Sequence, residues 1–331
     1  MWKKLLLMTG SLLMLTACSA PGSGGGVVKV GITQLIEHPS LDATRAGFVE
    51  ALQEAGYREG VNLELDVQNA QGDLSNNAMI AQKFAMEGED LVFAISTPST
   101  QAAAMAIKDI PVLFTAVTDP LGAKLVKSLD NPSRNVTGTS DTHPEAAKRM
   151  VQSMREFFPQ AKAVGIVYNS GEQNSVVSVQ EVRQALAASG LRAVEVSVSN
   201  SSEVKQAVDS LVGRCDLLFV PKDNTVVTAL ESMIKVADEQ KLPLFVSESD
   251  SLQRGGFAGY VVDYHQLGKQ TGRMAVEILK NGKQPKDLPV GIPGELTLAI
   301  NERTAAAQGI AITEQMKQAA KLLGGSNPEE K

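Results

Sequence analysis

Asp90-Leu91-Val92-Phe93-Ala94-Ile95-Ser96-Thr97-Pro98-Ser99-Thr100-Gln101 is the stretch on which the fold turns. Leu91 to Ile95 is an unbroken apolar run, the pattern of a parallel strand buried on both faces. Pro98 fits the first turn of a helix, where its missing N–H costs nothing, and Ala102 to Ile107 continue as good helix formers. The stretch therefore reads as strand, hydroxyl-rich lip and helix. In open α/β sheets such lips, at the carboxyl ends of strands, are where ligands sit, because helix N-termini leave N–H donors there.

The same device repeats on both sides. Upstream, Val27 to Ile32 reads as a strand emptying into Thr33 to Ser40, with Ser40 as the expected N-cap of a helix carrying Leu41, Phe48 and Leu52 on one stripe. Val61 to Val67 reads as a strand and Leu74 to Met86 as an amphipathic helix. Downstream, Pro111 to Phe114 leads through Thr115 to Pro120 to a helix expected near Leu121 to Leu129. Four strands alternating with helices predict a doubly wound parallel sheet. A second series begins after Ser140. Helices are expected near Glu145 to Phe158, Asn174 to Ala188, Ser202 to Leu211 and Thr225 to Gln240. Strands are expected at Ala163 to Tyr168, Leu191 to Val196, Cys215 to Val220, Pro243 to Val246 and Phe257 to Val262. The fold class is thus α/β, with two doubly wound parallel-sheet lobes. Crossings near Ser140, Asp263 and Lys286 form a three-crossing hinge. The expected division is 27–140 plus 263–286 for the first lobe, 141–262 plus 287–310 for the second, and a tail over 311–331.

The lips differ in chemistry. The first lobe offers Gln34, Ser96, Thr97, Ser99, Thr115, Thr118 and Asp119; the second offers Tyr168, Asn174, Ser175, Asp223, Asn224 and Ser247, with Asp263 at a crossing. Hydroxyls and helix N-termini after Thr97 and Thr118 suit a carboxylate, and Asp223 suits an ammonium group. A small zwitterion between the lobes satisfies both. Each of these residue types also caps helices, so their recurrence at successive strand ends carries the functional reading.

Composition excludes other classes. The 331 residues are 43% hydrophobic and 21% charged, carry a formal charge of −6, and include no basic tract or aromatic-basic interleaving for nucleic acid. No Gly-x-Gly-x-x-Gly follows the first strand, and no Walker-type loop or His-Glu-x-x-His occurs, so no catalytic residue, metal or cofactor is expected. His38, His143 and His265 are isolated in sequence; His38 and His265 fall at expected cleft edges. Two cysteines, Cys18 and Cys215, supply no disulfide framework, and Cys215 sits in a strand pattern as a small hydrophobe.

The first residues are different. Lys3 and Lys4 precede the apolar run Leu5 to Leu15, too short to span a bilayer comfortably, and small residues follow before Cys18: the form of a secretory signal over 1–17. Leu15-Thr16-Ala17-Cys18 resembles the lipobox of bacterial lipoproteins. That resemblance implies cleavage before Cys18, lipidation of Cys18 and a tether over 18–26. Loss of Lys3 and Lys4 takes the formal charge from −6 to −8.

With a lipobox, a Gly/Ser tether and two lobes with three crossings, the chain resembles the substrate-binding lipoproteins of ABC importers with the type I periplasmic-binding fold. The segments His38 to Asp42, Ala94 to Pro98, Val117 to Ala123, Asn135 to Gly138, Pro221 to Thr225 and Asp263 to Gly268 are similar to those of the tryptophan-binding branch. The resemblance covers essentially the whole mature chain. It implies an aromatic amino acid, tryptophan or phenylalanine, passed as cargo of an exported, lipid-anchored monomer to a permease driven by a cytoplasmic ATPase. It also implies that Ser96, Thr97, Ser99, Thr118 and Asp119 are first-lobe contacts. Asn174 and Ser175 would close over the ligand, and Asp223 and Asn224 would neutralise its ammonium. Aromatic content is 4%, so a ring contact is expected from one or two of Tyr168, Phe114 and Tyr264. A sensor lipoprotein docking on a membrane receptor, or an importer component for another small polar solute, are the alternatives for this organisation.

Overall fold

The computed structural model describes residues 26–324 apart from 133 and 295. The signal segment, Cys18 and all of the tether except Gly26 lie outside the described residues. The first lobe runs β1 (Val28–Gln34), α1 (Pro39–Glu54), β2 (Leu63–Asn69), α2 (Leu74–Glu87), β3 (Leu91–Ile95), α3 (Thr97–Ala106), β4 (Val112–Val117) and β5 (Val136–Ser140). Its sheet is wholly parallel with order β2-β1-β3-β4-β5, so the strand order reverses between β1 and β3. Leu91 to Ile95 are fully buried, as the unbroken apolar run requires.

The second lobe follows as α4 (Ala146–Phe157), β6 (Ala163–Asn169), α5 (Gln173–Ala188), β7 (Arg192–Val198), α6 (Val204–Asp209), β8 (Leu217–Phe219), α7 (Asn224–Thr228), α8 (Leu230–Gln240), β9 (Leu244–Phe245), α9 (Ser249–Arg254) and β10 (Ala258–Tyr260). The chain then returns to the first lobe as α10 (Tyr264–Leu279). It closes in the second as β11 (Leu298–Asn301), α11 (Glu302–Ala307), α12 (Glu314–Ala319) and β12 (Lys321–Leu323). The second sheet has order β12-β11-β10-β9-β8-β6-β7, antiparallel only at β10–β11, with its reversal between β6 and β8. Residues 311–324 are therefore part of a lobe and not a free tail: Met316 is buried and β12 pairs with β11.

Three differences from the sequence reading have local causes. Residues 287–291 stay with the first lobe, because Thr137 Oγ1 donates to Leu288 O, Val290 N to Leu129 O and Gly291 N to Gly138 O; the last crossing comes after Gly291. The helix expected near Leu121 to Leu129 is a series of turns, organised by Asp119 accepting from the N–H groups of Leu121 and Gly122 at 3.1 and 2.8 Å. Ser40 does not cap α1: His38 holds the N-cap position and Pro39 the first turn.

Helix α10 seats on α1 through glycines. A Cβ added to Gly47 would meet His265 O at 2.0 Å, and one on Gly268 would meet Thr44 O at 1.9 Å, so the helix backbones touch where these residues lie. Lys269 Nζ bridges Glu50 and Glu54 of α1 at 2.6 Å each across the same seam.

Candidate functional site

Both strand-order reversals place their polar lips in the cleft between the lobes. After β3, Ser96 has φ 81° and ψ 161°, a backbone region that only glycine adopts without strain. It is pinned there: its N–H donates to Thr115 O at 3.0 Å, and its carbonyl accepts from Thr100 N and Thr100 Oγ1 at 3.1 and 2.8 Å. Asn77 on α2 donates to Pro98 O at 2.9 Å and fixes the first turn of α3 from outside. Since proline has no N–H, Thr97 and Ser99 carry the first-turn donors without intrahelical acceptors. The hydroxyls of Ser96, Thr97 and Ser99 are buried and have no hydrogen-bond partner among the described residues.

The β1 lip adds Thr33, Gln34 and His38. Gln34 Nε2 is committed to Ile36 O and Asp42 Oδ1 at 2.9 and 3.0 Å, leaving Oε1 buried and without a partner, as is Thr33 Oγ1. His38 is 5% exposed. The Asn224 amide approaches it across the cleft, yet neither ring nitrogen makes a hydrogen bond of good geometry with a described residue. Burial, reinforced by the nearby Arg254 charge and opposed by Asn224, drives its pKa down to about 3, so the imidazole is neutral.

The facing wall is built on a buried carboxylate that sequence reasoning missed. Glu172 Oε2 accepts from Asn174 Nδ2 at 3.0 Å, Asn224 N at 3.2 Å and Asn224 Nδ2; Oε1 accepts from Thr225 N and Oγ1 at 3.0 and 2.7 Å. Asn174 also donates to Lys222 O at 3.0 Å, and its Oδ1, with Gln173 Oε1, has no partner among the described residues. Asp223 caps α7 through Val226 N at 2.7 Å and accepts from Asn169 N and from Ser175 Oγ, the latter at 2.6 Å. Its oxygens are largely committed to the protein. Burial and the adjacent Glu172 charge push its carboxyl up to about 7.

That shift fixes a sign. An ordinary aspartate ionises near 3.8, so between about pH 4 and 7 the unfolded chain has lost the proton that the folded protein still holds, and stability falls as pH rises through this window. Urea midpoints from pH 4 to 8 should decline more steeply for the native protein than for Asp223→Asn; parallel slopes would refute the assignment.

Several expected contacts stand elsewhere. Thr115 Oγ1 pairs with Thr139 Oγ1 at 3.0 Å, which pairs with Thr271 Oγ1 at 2.7 Å, a hydroxyl chain inside the first lobe linking β4, β5 and α10. Tyr168 lies on the face of β6 that packs with Val164 and Ile166 against Met150 and Val179, with Arg183 nearby; the strand's two-residue period turns it from the lip. Phe114 is core. Tyr264 donates to Asp141 Oδ2 at 2.7 Å in the hinge, where Lys222 Nζ also reaches Asp141 Oδ1 at 3.1 Å and Thr142 Oγ1 at 3.1 Å. Asp263 is an exposed N-cap accepting from Gln266 N at 3.0 Å. Ser247 donates to Val220 O at 3.2 Å. Thr118 is buried and its carbonyl accepts from Ser140 Oγ at 3.4 Å, while Asp119 serves the following turn. Cys215 is a buried hydrophobe whose thiol burial pushes up to about 11.

The lobes meet. Ser40 Oγ donates to Glu248 Oε2 at 2.6 Å across the cleft, and α3 touches α5. At one side a cleft of about 430 Å³ remains, with Leu35, Ile36 and Gly72 facing Asn169, Glu172 and Thr225.

Residues 29–323 match the family model described as ABC transporter substrate binding protein. The chain belongs to that family. Substrate-binding proteins of ABC importers are solute carriers that work outside the cytoplasm, and no helix among the described residues is long and apolar enough to cross a membrane. This substrate-binding protein is 44% identical over 279 residues to the Tyrosine-binding protein of Clostridioides difficile, covering 84% of the chain and 80% of the relative. It superposes with a TM-score of 0.84 on an ABC domain from Streptococcus pneumoniae in complex with L-Trp, at 34% identity over 90% of this chain and all of that one. Against the ligand-free, open structure of a substrate binding protein with adhesive properties from Clostridium difficile the TM-score is 0.66, although identity is 43% over 90% of this chain and 99% of that one. The lobes here stand closer to the L-Trp complex than to the open form, in agreement with the contacts across the cleft. The architecture is that of type I periplasmic-binding proteins, as expected from the sequence.

Proposed function

We propose that this protein captures an aromatic amino acid by lobe closure and delivers it to the permease of an ABC importer. The observation that carries the reading is the convergence of buried polar atoms without partners from both strand-order reversals. On one side stand the hydroxyls of Ser96, Thr97 and Ser99 at a helix N-terminus, which complement a carboxylate. On the other stand the amide oxygens of Gln173 and Asn174, with Glu172 and Asp223 buried behind them. The ammonium is read by Asn174 Oδ1, and Glu172 supplies the negative field, with Asp223 placed one step behind the ligand. The names of the relatives support an aromatic side chain, with tyrosine placed beside tryptophan and phenylalanine as a ligand to test. Membrane attachment through a lipid on Cys18 and action as a monomer complete the reading; the form of residues 1–18 supports the first.

Calorimetric titration of the purified protein with tyrosine, tryptophan, phenylalanine, a hexose and a nucleoside tests it. Saturable one-to-one binding of at least one aromatic amino acid is expected, with Thr97→Val and Ser99→Ala each weakening it by about tenfold, the effect of a lost hydrogen bond to a charged group. Binding of the hexose or nucleoside alone would sink the zwitterion reading.

A further inference from the structure

We infer that His38 selects the ligand's side chain by hydrogen-bonding a phenol hydroxyl, making the β1 lip the specificity element and the β3 lip the carboxylate holder; this rests on the aromatic amino-acid reading above. His38 has no local task for its ring. It occupies the N-cap of α1 with extended backbone, φ −158° and ψ 157°, but its side chain makes no capping bond. It is buried, and neither Nδ1 nor Nε2 has a partner among the described residues. A polar ring buried without partners costs stability, so its retention calls for a partner that arrives with the ligand.

The chemistry of the lip says which partner. A neutral imidazole has one N–H donor and one acceptor nitrogen, and a hydroxyl both donates and accepts. Gln34 contributes only its acceptor Oε1, because its amide hydrogens are held by Ile36 O and Asp42, and Thr33 Oγ1 stands on the same strand. Arg254 lies near His38, but its guanidinium is paired with Glu231 and Val227 O, and the β1 lip lacks the three hydroxyls without partners that stand together at the start of α3, so the carboxylate is assigned to α3. Asn224 faces His38 from the second lobe, so the hydroxyl would be enclosed only when the lobes meet. The aromatic rings among the described residues pack in the cores and hinge, which favours polar recognition as the means of choosing among aromatic side chains.

The test is the ratio of dissociation constants for phenylalanine and tyrosine in the native protein and in His38→Leu. Sites built to hydrogen-bond a hydroxyl reject the analogue that lacks it, so the native protein should favour tyrosine by about tenfold or more. His38→Leu should bring the ratio to within about twofold while leaving phenylalanine binding within about threefold of native, because the carboxylate holder is untouched. His38→Gln, which keeps a donor and an acceptor, should restore part of the preference. If His38→Leu does not fold, His38→Asn reads the same ratio with a shorter polar group. A native protein that binds both amino acids equally, or a ratio unchanged by the substitutions, overturns the assignment to His38 while leaving aromatic binding standing. Absence of any aromatic amino-acid binding by the native protein instead overturns the function on which it rests, and His38's role with it.

Discussion

Glu172→Ala is expected to lower unfolding stability by about 3–5 kcal/mol and to weaken ligand binding by roughly a hundredfold. The carboxylate receives five donors from Asn174, Asn224 and Thr225, and it holds the facing wall of the cleft to the start of α5. Its removal strands those donors in a buried place, which costs more than the hydrogen bonds were worth when made. It also releases Asn174, whose amide oxygen is proposed to meet the ammonium. Glu172→Gln keeps the shape but presents an NH2 to donors, so it should fall between native and alanine. Urea unfolding and calorimetry on the same preparations separate the two effects. An unchanged urea midpoint in Glu172→Ala would show that the network is not holding the wall.

Gly268→Val is the second large effect, at about 3 kcal/mol or more, the upper end of overpacking costs. The substituent would enter the space of Thr44 O, and Gly47 faces His265 O in the same seam, so the strain cannot be relieved by moving a flexible side chain. The helices must part, and with them the Lys269 bridges to Glu50 and Glu54. The melting temperature should fall by about 6–12 °C. Gly88→Asn is the control: it sits at φ 74° after α2 with open space around it, and asparagine tolerates that conformation. A melting temperature within about 2 °C of native for Gly268→Val would mean the seam is looser than its backbone contacts indicate.

Local sequence pattern was enough to locate the lips. A continuous apolar strand that ends in hydroxyls and proline fits the carboxyl edge of a buried parallel sheet and little else, and Ser96, Thr97 and Ser99 do converge in the cleft. It was not enough to say which polar residue in a lip faces inward. Glu172 lies in Ser170-Gly171-Glu172-Gln173, a segment indistinguishable by composition from a solvated loop; only the approach of Asn224 and Thr225, some fifty positions later, buries it. Its one local signal was Gly171 followed by an acid at the start of a helix, which by itself reads as an ordinary first-turn charge. Tyr168 failed for a different reason: one residue of strand register decides the face, and the apolar pattern of β6 is apolar on both. Asp263 caps α10, a task that its residue type performs as readily as ligand contact, so sequence alone does not separate the two. The turn after Thr118 escaped because Asp119 stabilises turn and helix starts by the same hydrogen bonds.

The seam between α1 and α10 has a consequence for how the chain acquires its structure. Residues 39–54 and 264–279 are neighbours in one core, which also takes in Val30, Phe93 and Leu113. That core is incomplete until more than four-fifths of the sequence is present, however early its first five strands are made. Loop closure over such a distance comes late, so the first lobe should fold slowly; the second also waits for β11 and α12, which bring Ile300 and Met316 into its core, although its β6–α9 segment is local. Neither core can be completed until more than four-fifths of the chain is made, a delay that suits a polypeptide threaded through a narrow export channel before it folds.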